Sequence, residues 1–383
     1  MRRGATQRET SRVGRVGAGT SSHMGAAKMA RLQTRADELE ALVELRAQIR
    51  REALDRQTPV LGLAILAFHL GIMLGGIAVF VASDVLWLRV IALLISTYGA
   101  LGIGMTGHNA SHYGVTGWKR VDRALTYLTM TVLNGISATY WRHKHIRLHH
   151  SAPNNIGHDT DIDLLPFFAL NEDEVRAARG WRRRLYRVQH WVFPIAIGAN
   201  MMNLKIAGLI HICQEMRRCG RQSMALRADL ACLALHVALF LVLPALIWPV
   251  APVIGFYLLR EVLNGYIVFA AAAPAHFPPE AMFIKEEDGG LLAGQIYTTV
   301  NFRTGFWGRL VCLGAEYQIE HHLLPEANPL KMRRVSPIVE AFCRRYHYPY
   351  RQLGWAEGVV KSLRIVRHPK PVYRLGDLLG ELR

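Results

Sequence analysis

Four stretches of about twenty apolar residues, at 59–82, 85–105, 228–249 and 252–275, restrict this chain more than any other feature of it. A run of that length matches the hydrocarbon core of a bilayer, where a helix satisfies its own backbone polar groups. Only Ser83-Asp84 separates the first pair, and a short proline-containing turn separates the second. The expected fold class is an all-α integral membrane protein, with four transmembrane helices in two hairpins and a helical cap that holds a histidine-rich site. Two hairpins put both ends of the chain on one side. Lysine and arginine crowd the N-terminal tail, the 176–227 segment and the C-terminal part, while the hairpin turns carry almost none. The positive-inside rule then makes the termini and the cap cytoplasmic.

The remaining segments follow from composition. Residues 1–35 are rich in Arg, Gly, Ser and Thr and read as a disordered basic tail, with Met24 or Met29 as alternative starts. No apolar segment follows its arginines, so it is not a secretory signal. Residues 36–58 read as an amphipathic helix, with Leu39, Leu42, Val43 and Ile49 near helical spacing, acids early and arginines late. The main domain is expected over 59–346 and a cytosolic C-terminal tail over 347–383. Within the domain, 121–140 is interrupted by Asn134-Gly135 and reads as an interfacial helix. Residues 171–189, with Arg182, Arg183 and Arg184, read as a solvated stretch. Residues 191–213 hold Asn200, Asn203, Lys205 and His211, polar groups that are expensive in lipid, so a surface-lying helix is expected there. Arg260, Glu261 and Asn264 fall inside the last apolar run, either pairing with one another or lining a tunnel. His69 reads as a packed histidine.

Histidine carries the chemistry. Segment 140–166 holds His143, His145, His149, His150 and His158, out of 17 histidines in the whole chain. Upstream lie His108 and His112, spaced to share one helical face. Downstream lies Gln318-Ile-Glu-His321-His322. His145, His149 and His150 combine an i,i+4 pair with an adjacent ring, so one helix end can present nitrogens to two neighbouring ions. A catalytic zinc typically takes three protein ligands. These boxes alone hold seven candidates, which favours two metals. No cysteine joins them, and imidazole suits zinc, copper, iron or nickel.

The ordered boxes resemble those of the membrane-bound fatty acid desaturases, which run HxxxH, then HxxHH or HxxxHH, then HxxHH or QxxHH. The final Gln318-to-Pro325 stretch looks like the front-end acyl-lipid subgroup, as do Gln295, Thr298, Thr299 and Asn301, and Asn154, Asn155, Asp159 and Asp161. The resemblance runs from about residue 59 to residue 346. It implies two non-haem iron ions held by His108, His112, His145, His149, His150, His321 and His322, with O2 as co-substrate and insertion of a cis double bond into an acyl chain. His276, just after the fourth apolar run, falls where the family carries an extra ligand. His143, His158, Asp159, Asp161, Gln318 and Glu320 are candidates for the surroundings of the ligands, the carboxylates by holding imidazole N–H groups. Two departures stand out. Asn109 replaces the aspartate usual in the first box, and Ala272 stands where the related acyl-CoA desaturases have an asparagine close to the metal.

The formal net charge of +17 would suit nucleic acid, but no nucleic-acid fold signature accompanies it. Anionic lipid, an anionic acyl carrier and an acidic electron-transfer protein explain it better. The chain contains no haem-binding HPGG module and no flavin or Rossmann fingerprint, so a separate donor is expected, a ferredoxin or a cytochrome b5-like protein. Five cysteines without CxxC spacing read as free thiols. Three rivals remain at this stage: a di-iron lipid hydroxylase or oxygenase, a zinc-dependent membrane lipid hydrolase, and a metal transporter. The last would need its histidines at mid-membrane depth rather than at the ends of the apolar runs.

Overall fold

A computed structural model describes residues 34–218, 223–286 and 291–380. The expected basic tail lies outside the described residues apart from its last two, as do both alternative start methionines and Cys219. The other four cysteines are free.

Helix α1 (Arg35–Arg51) begins at a reciprocal cap, in which Thr34 Oγ1 accepts from the Asp37 N–H and Asp37 accepts from the Thr34 N–H. Its buried face is Ala41, Leu42, Leu45 and Ile49. Leu39 and Val43, expected on that face, are instead 53% exposed each. The contact face is thus rotated from the one the sequence suggests, because the i, i+3, i+4 row through Leu45 meets the partners.

Helices α2 (Pro59–Ala82) and α3 (Leu86–Ser111) form the first hairpin. They cross closely at Gly99, where a Cβ would lie 2.6 Å from the Met73 backbone nitrogen. Helix α3 continues six residues past the expected end at 105, so His108 sits on the helix itself and His112 caps it. Helix α4 (Lys119–Thr126) runs on as a π-helical turn, Tyr127–Leu133, and stops at Asn134-Gly135, where the interruption was expected. Gly135 takes φ +70°. Helix α5 (Ala138–Trp141) then leads into a second π-helical segment, Arg142–His149.

Helix α6 (Glu172–Ala177) precedes α7 (Gly180–Arg218), a single helix of 39 residues that joins the expected solvated stretch to the expected surface helix. The second hairpin pairs α8 (Met224–Val237), which passes through a π-helical turn into α9 (Leu243–Ile247), with α10 (Val250–Ala272). The start of α5 is fixed from afar by the fully buried Asp229 of α8. Its carboxylate accepts from Ser137 Oγ at 2.6 Å and from the N–H groups of Ala138 and Thr139 at 3.0 and 2.9 Å.

Among the described residues, five helices are long and apolar enough to cross a membrane, one more than the four expected. The addition is α7. Its Lys205 pairs with Glu261 of α10 at 2.9 Å and with Tyr257 Oη at 2.7 Å, while Asn200 and Asn203 face outward. Glu261 also meets Arg260 at 3.3 Å. His69 is packed, its Nδ1 2.8 Å from the Ile65 carbonyl. Across Met224–Ile247 only 6% of the apolar window is buried. So large an outward apolar face suits lipid and not water.

The cap contains α11 (Leu292–Tyr297), α12 (Phe306–Cys312), α13 (Gln318–Leu323), α14 (Met332–Arg345) and α15 (Trp355–Arg364). Leu45 and Ile49 of α1 pack with Ile296, Val335 and Val339 in its core. Four short strands bind its far end: β1 (Phe283–Ile284), β2 (Asn301–Arg303), β3 (Gln352–Gly354) and β4 (Val372–Tyr373), with β1 parallel to β4 and β2 parallel to β3. The segment after 346, expected as a tail, is therefore built into the cap through residue 373.

Candidate metal centre

The three histidine boxes, 214 residues apart from first to last (322 − 108), meet at one place. One group contains His108, His112, His145, His150 and His321, and a second contains His149, His276 and His322, with potential ligand atoms within 4.8 Å of one another in each. All eight histidines expected as ligands are in these two groups.

The π-helical winding explains the division. The His150 N–H donates to the His145 carbonyl at 2.9 Å, an i to i−5 bond. The wider turn brings His145 and His150 together, with their Nε2 atoms 3.1 Å apart, and directs His149 into the other group. The i,i+4 pair expected from spacing is divided between these two groups, although His145 and His149 also form a third group with Asp161, again with potential ligand atoms within 4.8 Å of one another. His150 and His322, stacked with centroids 4.5 Å apart, join the two groups.

The donor set fits metal ions. Among the described residues, His112 Nε2, His150 Nδ1, His276 Nδ1, His321 Nε2 and His322 Nε2 are buried without a hydrogen-bond partner. His108 Nε2 and His145 Nε2 lie 2.9 Å apart. Two ring nitrogens come this close either when one carries the proton and donates to the other or when both face one ion at about 2.1 Å. Burial, reinforced by neighbouring imidazoles, pushes His112, His145, His150, His321 and His322 well below the ordinary histidine range. It lowers His276 to about 3. Neutral imidazole is the form that binds metal.

The remaining candidates separate into two sets. Asp159 is buried and accepts from His149 Nδ1 at 2.9 Å and from the Asn154 N–H at 2.8 Å, which leaves His149 Nε2 for an ion. Burial pushes His149 down and Asp159 up, but their mutual attraction outweighs both effects, so His149 lies above its usual range and Asp159 below. Asp161 lies 3.4 Å from His149 Nδ1 and is paired with Lys144. Gln318 lines the adjoining cavity and bonds the Ala315 carbonyl, not a histidine.

Glu320 is the clearest correction. Its fully buried carboxylate accepts from Asn301 Nδ2 and Tyr350 Oη, so the turn of α13 points it away from the imidazoles. His143 stacks on His211 at 5.1 Å, and His158 is exposed and meets Ser151 Oγ at 3.0 Å, both outside the groups.

Three residues have roles that sequence reasoning missed. Gln295 Oε1 accepts from His322 Nδ1 at 3.0 Å while its amide donates to the His150 carbonyl at 2.9 Å, so one side chain orients both groups. Asn154 Nδ2 donates to the His276 carbonyl at 2.9 Å and the Thr298 carbonyl at 3.1 Å. Lys370 Nζ also donates to the His276 carbonyl, at 3.0 Å. For Gln295 and Asn154 the only signal was the likeness to the front-end subgroup. Lys370 gave none.

Beside the histidines is a cavity of about 310 Å³. His108, His145, His149, His276 and His321 line one end, and Leu101, Met130, Met201, Leu204 and Val268 line its walls. Along α3 it reaches from His108 back to Ala100, about 12 Å at 1.5 Å per residue. Glu261 and Asn264 of α10 also line it.

Residues 84–354 match the fatty acid desaturase family profile. Similar proteins include delta(8)-fatty-acid desaturase 2 of Arabidopsis thaliana, 25% identical over 328 residues, covering 78% of this chain and 68% of that protein. The delta(8)-fatty-acid desaturase of Euglena gracilis is 29% identical over 270 residues, 68% of this chain and 63% of its own. The acyl-lipid (8-3)-desaturase of Thraustochytrium sp is 28% identical over 263 residues, 67% of this chain and 57% of its own. The chain spans 57% to 68% of the length of these three relatives. With its buried histidine groups and apolar helices, this membrane-associated chain belongs to the fatty acid desaturase family of oxidoreductases.

Proposed function

We propose that the protein is an O2-dependent acyl-lipid desaturase that inserts a cis double bond into an acyl chain with two electrons from an external donor. The observation that carries this reading is the junction of two buried histidine groups with an apolar cavity. His108, His112, His145, His150 and His321 would hold one iron, and His149, His276 and His322 the other. When bound, the two irons supply the O2 chemistry that removes two vicinal hydrogens. The chain's own residues do the rest. Asp159 and Gln295 fix imidazole tautomers and ring orientations. Leu101, Met130, Met201, Leu204 and Val268 exclude water and confine the acyl chain, so that its position along the cavity selects the carbon that reacts. The relatives' desaturase names favour desaturation over hydroxylation.

Four crossings, by α2, α3, α8–α9 and α10, fit the geometry by parity. His149 precedes α7 and His276 follows α10, yet their ring centroids are 4.6 Å apart. An even number of crossings must lie between them. The α8–α9 and α10 hairpin supplies two, so α7 lies against α10 without crossing. The lysine- and arginine-rich segments on the histidine side support a cytoplasmic site. A ferredoxin or a cytochrome b5-like protein suits that basic face as electron donor.

The test is lipid analysis of a host making the intact protein beside a His149→Ala, His321→Ala double variant. New unsaturated chains that vanish in the variant are the expected outcome. Hydroxylated chains in their place would overturn desaturation in favour of the oxygenase. The purified protein should carry about two irons per chain; a single zinc would refute the di-iron reading.

A further inference from the structure

Lys370 is 4% exposed, although buried lysines are rare unless paired. Its ammonium donates to three main-chain carbonyls, those of His276 at 3.0 Å, Pro278 at 3.2 Å and Ala281 at 2.5 Å, and lies 3.7 Å from the centroid of the Phe283 ring. Three carbonyl acceptors use all three N–H bonds of an ammonium, one more than a neutral amine has. Burial pushes the group well below the ordinary lysine range and the Glu280 carboxylate pulls it part of the way back, while the carbonyls and the ring face hold the ammonium in place. The main chain of Lys370 is equally engaged. Its N–H donates to the Leu170 carbonyl at 2.9 Å, and its carbonyl accepts from the Glu172 N–H at 3.0 Å. On either side, Val366 accepts from Gln189 Nε2 at 2.7 Å and β4 pairs with β1. The 366–373 segment thus joins the loop after the second histidine box to the loop that carries His276.

We propose that Lys370 is a positioning residue for the three-histidine group, pinning the 276–281 loop so that His276 stays in register with His149 and His322. Lys370 lies sixteen residues beyond the end of the family match at 354 (370 − 354). This chain therefore completes the centre with a residue from outside the matched segment. The proposal rests on the two-ion reading given above.

The test uses the full chain in lipid nanodiscs, loaded anaerobically with ferrous iron alone. Lys370→Met keeps the apolar stem and removes the donors, whereas Gln189→Leu loosens the same segment away from His276. Wild type and Gln189→Leu should hold about two irons per chain and Lys370→Met about one. Amide exchange over 276–286 should be about tenfold faster in Lys370→Met. Restoring a cation in Lys370→Arg should return part of the second iron. Two irons in Lys370→Met, or equal loss in Gln189→Leu, would overturn the proposal. If Lys370→Met does not fold, wild type alone decides: removal of iron by a chelator should speed exchange at 276–286 and 366–373 together. No response at 366–373 refutes the coupling. A wild-type chain that binds one iron overturns the two-ion reading itself and this proposal with it.

Discussion

At the level of single residues, Gln295 and Asp159 do the orienting that the imidazoles cannot do for themselves. Gln295→Leu leaves His322 Nδ1 without its acceptor and the His150 carbonyl without its donor. A 10- to 100-fold loss of iron affinity is expected, read by equilibrium competition with a chelator. Asp159→Asn keeps an acceptor for His149 but removes the charge, so a smaller loss, on the order of tenfold, should appear in the same assay. The eight candidate histidines were legible because box spacing is local in sequence. Of their supporting residues, Asp159 was legible too, ten residues from the His149 it holds, whereas the role of Gln295 was not, since it stands 145 residues from the His150 carbonyl it meets. Glu320 misled for a related reason. Adjacent to His321 in sequence, it turns toward Asn301 and Tyr350, and nothing in the box itself reports on which side of α13 the metal lies.

At the level of elements, close helix crossings and π-helical turns position the site. A side chain at Gly99 would have to displace the backbone at Met73, which cannot yield as a flexible side chain does. Gly99→Val should cost about 1–3 kcal/mol, measured as a lowered midpoint of unfolding in detergent, with loss of the cavity wall that α3 provides. The apolar helices were readable because length and hydropathy are summed over many residues. The continuity of α7 was not, because Lys205 looks costly until Glu261 and Tyr257 are placed beside it from a different helix. The approach of His150 to His145 depends on π winding, which leaves no simple mark in spacing.

For the molecule as a whole, the parity of crossings gives a sharp expectation. With all five native cysteines replaced, a single cysteine introduced at Asp84 or Trp248, in the hairpin turns, should react with an impermeant maleimide only from outside intact cells. One at Arg183 or Arg334 should react only after the membrane is opened, as should the native Cys213 of α7 when it alone is kept. Labelling of Cys213 from outside would make α7 a crossing helix and refute the four-span arrangement.

The same molecule-wide view gives the segment at 366–373 a meaning in time. A ribosome makes the three histidine boxes well before it makes Lys370, yet that segment connects the Leu170 and His276 loops. The three-histidine group therefore remains unfinished while most of the chain is already in the membrane. If Lys370 pins the 276–281 loop as proposed, filling of that group is a late step of biogenesis that follows the arrival of one buried lysine, while the five-histidine group is complete in sequence 49 residues earlier (370 − 321).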